Sequence, residues 1–277
     1  MNNDLRQLNT DELVSAWTAI DPVRVLAVGL VERSAEREPA GRFHSYARTA
    51  DAVLFEDLRA GRRCVLPAEA LIACHTAALA TVAARTLVAP GVVTAAVLGS
   101  GPVLPLLLTL LTRHVPGLSH VAVCPAGGPL GPDVLDQLDE AGIGWSFTDV
   151  PAEAALGATL VVALAADLAR QVPGPPTAGA LLVYVAGSDL ADDVADSVSQ
   201  FYVDDAALVD PARRNGRRQR RVEADLGRVL RGDHPGRTHV DDVLLVELLG
   251  AHRLDGWLAG ELHRAALVRG LGVALDE

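Results

Sequence analysis

Apolar and polar positions change rhythm several times along this chain, and each change predicts an element. Asn9-Thr10-Asp11-Glu12 sets a capping side chain before Leu13, Trp17 and Ile20, the signature of a helix start; the stretch to about Leu66 reads as an independent, partly helical region. From Ala68 to Val88 the chain is rich in alanine, and Thr76, Ala77, Ala78, Ala80, Ala83 and Ala84 put small residues at helical spacing, predicting a tightly packed connecting helix. Short apolar runs follow: Val92–Leu98, Val121–Cys124, Trp145–Thr148, Leu160–Leu164, Leu181–Ala186 and Phe201–Val203. Parallel strands covered on both faces look like this, and the segments between several runs are long enough for crossover helices. The prediction is an α/β protein with a doubly wound parallel sheet over roughly residues 90 to 215. From Val222 to Glu277 helical signals return, with Leu244, Leu245, Leu248 and Leu249, then Leu258, Leu262, Ala265 and Ala266, on recurrent faces.

The segment Thr86 to Thr112 has no charged residue and is long enough for a membrane-spanning helix. Pro90, Gly91, Gly99, Gly101, Pro102 and Pro105 interrupt it, and Val92, Val93, Thr94 and Val97 make its first half β-branched, so a buried strand, a glycine turn and a buried helix are predicted instead. The polar start, Met1 to Thr10, does not read as a secretory signal, and a cytoplasmic protein with no membrane partner is expected.

Composition narrows the chemistry. With 277 residues, 50% hydrophobic content and a formal charge of −11, the chain is a folded, acidic protein, and a general nucleic-acid partner is not expected. Arg213 to Arg221 is the local exception, six arginines in nine residues, but no aromatic residue is interleaved for base stacking and it reads as a solvated segment. Cys64, Cys74 and Cys124 are scattered and odd in number, as buried thiols of a reducing compartment are. All 24 basic residues are arginine. The absence of lysine removes Schiff-base chemistry, a P-loop lysine and a lysine general base together. The histidines show no metal-ligand spacing, and Ser100 is not in a Gly-x-Ser-x-Gly elbow.

Gly99-Ser100-Gly101-Pro102 stands between a predicted strand and a predicted helix, the context of a dinucleotide turn. There the first glycine makes the turn and the second lets a diphosphate approach backbone N–H groups. Leu104 replaces the usual third small residue, Pro102 removes one donor, and no acid follows at the end of the second strand, which reads Val123-Cys124-Pro125. The turn fits NAD or NADP.

The motifs around it resemble those of the ornithine cyclodeaminase / mu-crystallin family of nicotinamide-dependent proteins, over roughly Leu66 to Gly272. His75-Thr76-Ala77-Ala78, followed by Ala83-Ala84-Arg85-Thr86-Leu87, resembles the family's Arg-Thr-Ala-Ala helix, and Gly99-Ser100-Gly101 its Gly-Ala-Gly turn. Val185-Ala186-Gly187-Ser188-Asp189 is similar to the strand end that carries the family's catalytic aspartate, and Val203-Asp204-Asp205 to the strand that follows. Leu226-Gly227-Arg228-Val229, Pro235-Gly236-Arg237 and Leu249-Gly250 with Leu254-Asp255 resemble the remaining motifs in order.

The resemblance implies a Rossmann-like dinucleotide-binding domain, residues 76–234, and a split α+β domain from both chain ends, 1–75 and 235–277, that binds substrate and pairs into a homodimer. It implies Asp189 as the proton-transfer group. Thr76, Gly99, Ser100, Gly101 and Pro102 would hold the cofactor. The family grips a substrate carboxylate with a lysine and arginines, a sensible use of planar guanidinium; here lysine is absent and the arginine before Thr-Ala-Ala is His75. His75 is then expected to contact substrate, with Arg48 as a replacement clamp. Two functions from different classes fit: a divergent oxidoreductase acting at the C–N bond of an amino acid or cyclic imine, or a catalytically degenerate member serving as a binding or scaffold subunit.

Overall fold

The computed structural model describes residues 4–35, 44–58, 60–125, 131–172, 174–185, 191–209, 221–250 and 255–275. Two sheets organise them. The outer one is five-stranded, in the order β13-β1-β4-β3-β2, with β1 (Asp4–Gln7), β2 (His44–Arg48), β3 (Ala52–Asp57), β4 (Arg62–Pro67) and β13 (Val273–Ala274). Strands β2, β3 and β4 are antiparallel neighbours, β1 runs parallel to β4, and the last strand pairs with the first, so both chain ends build this sheet.

Helices α1 (Thr10–Trp17), α2 (Pro22–Ser34) and α10 (Asp255–Arg269) accompany it. The predicted start of α1 is reproduced as a capping box: Glu12 N–H donates to Asn9 Oδ1 and Asn9 N–H to Glu12 Oε2, each at 2.9 Å. Asp21 caps α2 by accepting the Arg24 N–H on Oδ1, ahead of Pro22 in its first turn.

The larger sheet has eight strands, all parallel, in the order β11-β10-β12-β9-β8-β5-β6-β7. They are β5 (Val93–Leu98), β6 (Leu118–Cys124), β7 (Gly144–Phe147), β8 (Leu160–Ala163), β9 (Leu181–Val185), β10 (Gln200–Val203), β11 (Ala224–Asp225) and β12 (Leu244–Leu248). Between them run α4 (Val103–His114), α5 (Pro132–Glu140), α6 (Pro151–Ala155), α7 (Ala166–Ala169), α8 (Asp192–Ser197) and α9 (Leu226–Leu230). The chain goes outward from β5 to β6 and β7, then returns to β8 on the other side of β5. The gap between β5 and β8 is therefore the topological switch point at which such sheets bind ligands.

The alanine-rich stretch forms α3 (Ala68–Leu87), which joins the two sheets. It is apolar on every side and packs against α2 and α4 as well as β9 and β12, and its small side chains permit those close approaches. Length and hydropathy alone would let α3 cross a bilayer, yet its residues are packed inside the protein. The uncharged segment Thr86 to Thr112 is divided among the end of α3, β5, the glycine turn and α4, the strand, turn and helix expected of it.

The six predicted strands are present, and one expectation needs correction. Leu244 to Leu249 read as helical, whereas Leu244–Leu248 is a strand lodged between β9 and β10, paired Leu244 to Leu181 and Val246 to Tyr202. A short apolar run buried on both faces carries no period to separate helix from strand. That strand lies within 235–277, and α3 runs unbroken across residue 75.

Candidate functional site

The direction of α3 decides what lies near the switch point. Its last carbonyl, on Leu87, accepts a hydrogen bond from Arg237 Nε at 3.0 Å, and Arg237 precedes β12. The C-terminus of α3 thus sits at the amino edge of the parallel sheet, and the first half of the helix rises toward the carboxyl edge. Gly99 and Asp255 are also at that edge, following β5 and β12 respectively.

The glycine turn is built by its backbone. Gly99 N–H donates to the Cys124 carbonyl at 3.0 Å, and Leu164 N–H to the Leu98 carbonyl at 2.8 Å, which stitches the turn across β6 and β8. Gly99 has φ of +137°, and a Cβ there would lie 2.7 Å from Leu164 Cβ. This position needs glycine for both conformation and space. Gly101 has φ of +84° and nothing within 4 Å of a Cβ, so its surroundings are open. Leu104 N–H bonds back to the Gly101 carbonyl, while Pro102 and Pro105 carry no N–H. The N–H groups of Ser100, Gly101 and Val103 make no backbone hydrogen bond among the described residues. Three donors at a helix start, beside an open glycine, fit a diphosphate. β6 finishes in Cys124, a buried thiol whose pKa is raised by burial and by the Asp149 charge.

A second group, centred on the first half of α3, is made of side chains. His75, two turns into α3, is 4% exposed, and its Nδ1 lies 2.6 Å from Oδ1 of Asp255, itself 1% exposed. Tyr46, on the edge strand β2, donates its hydroxyl to Asp255 Oδ2 at 2.8 Å. Asp255 opens α10, where the helix macrodipole favours the carboxylate form. Burial pushes the Tyr46 phenol above its usual range, as do the bond to Asp255 and its charge, while Arg48 pulls the other way. Tyr46 stays protonated and a donor. His75 Nε2 is buried and has no hydrogen-bond partner among the described residues, which costs about 1–3 kcal/mol in an isolated protein.

Leu249 and Gly250, which follow β12, are held by a buried side chain. Asp204, at the end of β10 and 1% exposed, accepts N–H bonds from Asp205 and Leu249 at 2.9 Å and from Gly250 at 3.0 Å. Asp205 in turn pairs with Arg33 of α2.

Of the residues expected in a site, Gly99, Ser100, Gly101 and Pro102 form the turn, and His75 and the half-buried Thr76 are on α3. Arg48 ends β2, exposed and close enough to Tyr46 to influence it. Asp189 lies outside the described residues. Asp255, Tyr46 and Asp204 were not expected there. Asp255 stood at the end of a quoted motif and Asp204 in another, but pairing either with a partner needs the fold; Tyr46 carried no signal.

No protein-family model and no curated protein matches the chain by sequence. Solved structures do match by fold. CmnK is 20% identical with a TM-score of 0.76, over 99% of this chain and 99% of that one. The Δ1-pyrroline-2-carboxylate reductase of Thermococcus litoralis, solved with NADH and L-proline, is 14% identical with a TM-score of 0.75, over 98% and 100% of the two chains. A probable ornithine cyclodeaminase from Bordetella pertussis Tohama I is 17% identical, TM-score 0.72, over 97% and 99%. The chain therefore has the fold of the ornithine cyclodeaminase / mu-crystallin family along its whole length.

Proposed function

We propose that this protein is a nicotinamide-dependent oxidoreductase acting at the C–N bond of an amino acid or cyclic imine, with NAD or NADP as cofactor and a homodimer as its working form. The observation that carries this reading is the open backbone cradle at the switch point, with the buried His75–Asp255 pair at the same sheet edge. The fold likeness to a reductase solved with NADH and L-proline supports it.

Ser100, Gly101 and Val103 hold the diphosphate through their N–H groups, flanked by Pro102 and Thr76. Bound there, the nicotinamide supplies hydride exchange with the nitrogen-bearing carbon. Asp189 moves a proton at the substrate nitrogen, His75 contacts the substrate, and Arg48 offers a planar guanidinium to its carboxylate.

A second reading, a catalytically degenerate binding subunit, is favoured by one observation: Pro102 and Pro105 strip two donors from the turn that begins α4. Calorimetric titration with NAD+, NADH, NADP+ and NADPH separates the two. The oxidoreductase reading expects at least one to bind in the micromolar range and to raise the melting temperature. Absence of heat and of any melting shift with all four leaves the degenerate reading.

A further inference from the structure

We infer that Tyr46, Asp255 and His75 form a chain of close polar contacts whose far end, His75 Nε2, receives the amine of the substrate rather than its carboxylate. This deepens the reading above and rests on it.

The argument is one of charge and hydrogen-bond inventory. Tyr46 O–H donates to Asp255 Oδ2, and the other carboxylate oxygen stands 2.6 Å from His75 Nδ1. Oδ1 makes no hydrogen bond of good geometry among the described residues, but an oxygen lone pair and a bare ring nitrogen 2.6 Å apart would repel, so Nδ1 carries the ring proton. In the neutral ring Nε2 is then a lone pair. Where the resembling family uses a cationic arginine, this chain presents an acceptor backed by a buried carboxylate, and it has no lysine to restore the charge. Such a group repels a carboxylate and attracts an ammonium or amine N–H. Arg48, exposed at the end of β2, remains for the carboxylate end.

Substrate enters the chemistry as the ammonium form. One of its N–H groups donates to Nε2, which holds the nitrogen in place while another of its protons passes to the Asp189 carboxylate, as proposed above. The substrate keeps the nitrogen lone pair that departure of a hydride from the adjacent carbon requires. His75 is the group that touches substrate; Asp255 and Tyr46 are positioning residues that fix its tautomer and ring orientation.

The test uses full-length protein with 15N-labelled histidine and saturating NADH. Without a second ligand, His75 should show a protonated Nδ1 and a bare Nε2, and Asp255→Asn should abolish that preference in a protein that still melts cooperatively. Three ligand pairs follow: L-proline with tetrahydrofuran-2-carboxylate, and L-ornithine and L-alanine each with its 2-hydroxy analogue. At least one amine should shift His75 Nε2 while its oxygen analogue does not, and His75→Asn should weaken that amine about tenfold or more. Tyr46→Phe should raise its KM a few-fold with NADH binding unchanged. An Nε2–H tautomer, equal shifts from amine and oxygen analogues, or no shift from any amine while NADH binds, overturns the inference. Failure of NADH and NADPH alike to bind overturns the oxidoreductase reading instead.

Discussion

The glycine turn and the His75 cluster face one sheet edge and are built from opposite materials. The turn is backbone: Gly99 and Gly101 at positive φ and two cross-strand hydrogen bonds hold its shape, and three of its N–H groups make no backbone hydrogen bond among the described residues. The cluster is side chain: His75, Asp255 and Tyr46 come from a helix, a helix start and an edge strand of a different sheet, and each is meaningful only with the other two. A backbone site survives sequence drift as long as its glycines do. A side-chain site can be rewritten by one substitution, so divergence of function is expected at the cluster first.

Removing the hub of the cluster should have the largest effect. Asp255→Ala leaves the His75 ring and the Tyr46 hydroxyl buried without their acceptor, and loss of one member of a buried pair costs about 3–5 kcal/mol, read as a lower denaturant midpoint. Asp255→Asn retains an acceptor for Tyr46 and should recover part of it.

The turn answers with an internal contrast. Gly99→Ala forces a Cβ to 2.7 Å from Leu164 Cβ at φ of +137°, for a loss of about 2–4 kcal/mol. Gly101→Ala meets nothing within 4 Å and should cost only about 1 kcal/mol. Gly101→Val then serves as the functional probe, since its side chain fills the open space beside the free N–H groups. It should remain folded yet show no melting shift with NADH. Retained NADH binding in that variant would remove the diphosphate from this turn.

Alkaline pH separates the regions by another route. Burial pushes the thiols of Cys64, on β4, and Cys74, next to His75, from 9.0 up to about 12. Between pH 9 and 12 the unfolded chain loses protons that the folded protein keeps. Stability is thus full below pH 9 and declines as pH rises through that window, by about 2–3 kcal/mol for the two thiols together at pH 10. Denaturant midpoints at pH 8 and pH 10 measure the decline, and the Cys64→Ala, Cys74→Ala double variant should flatten it. An equally steep decline in that variant would rule the thiols out as its source; Tyr184 and Tyr202, whose phenols burial also raises from 10.0 to about 12, account for only about 0.4 kcal/mol each by pH 10.

The same contrast governs what the sequence reveals. Periodicity exposed the parallel sheet because buried parallel strands are continuous apolar runs, and the turn was legible because glycine at fixed spacing records a backbone demand. Strand β12 escaped because Leu244–Leu248 fits either period, and β2, β3 and β4 because only Val53, Phe55, Cys64 and Leu66 among their residues are fully buried, too few in each strand to set a rhythm. His75 was legible as a departure from a motif. Its partners were not, since Tyr46 and Asp255 are separated by 209 positions and nothing local marks either for the other.

The smallest expected effect on stability tests the division of labour within the site most directly. Arg48 is exposed at the end of β2, so Arg48→Ala should change stability by less than about 0.5 kcal/mol. Its guanidinium nevertheless lies within electrostatic reach of the Tyr46 phenol. If Arg48 holds the carboxylate end of the substrate while His75 holds the amine, Arg48→Ala should weaken an amino acid and its 2-hydroxy analogue by the same factor, because both keep the carboxylate. His75→Asn should weaken the amino acid alone. Equal, additive losses from the two variants on both ligands would place both side chains on one substrate group. A non-additive double variant, with the second substitution costing little after the first, would show that Arg48 acts through the Tyr46–Asp255 chain and not on the ligand.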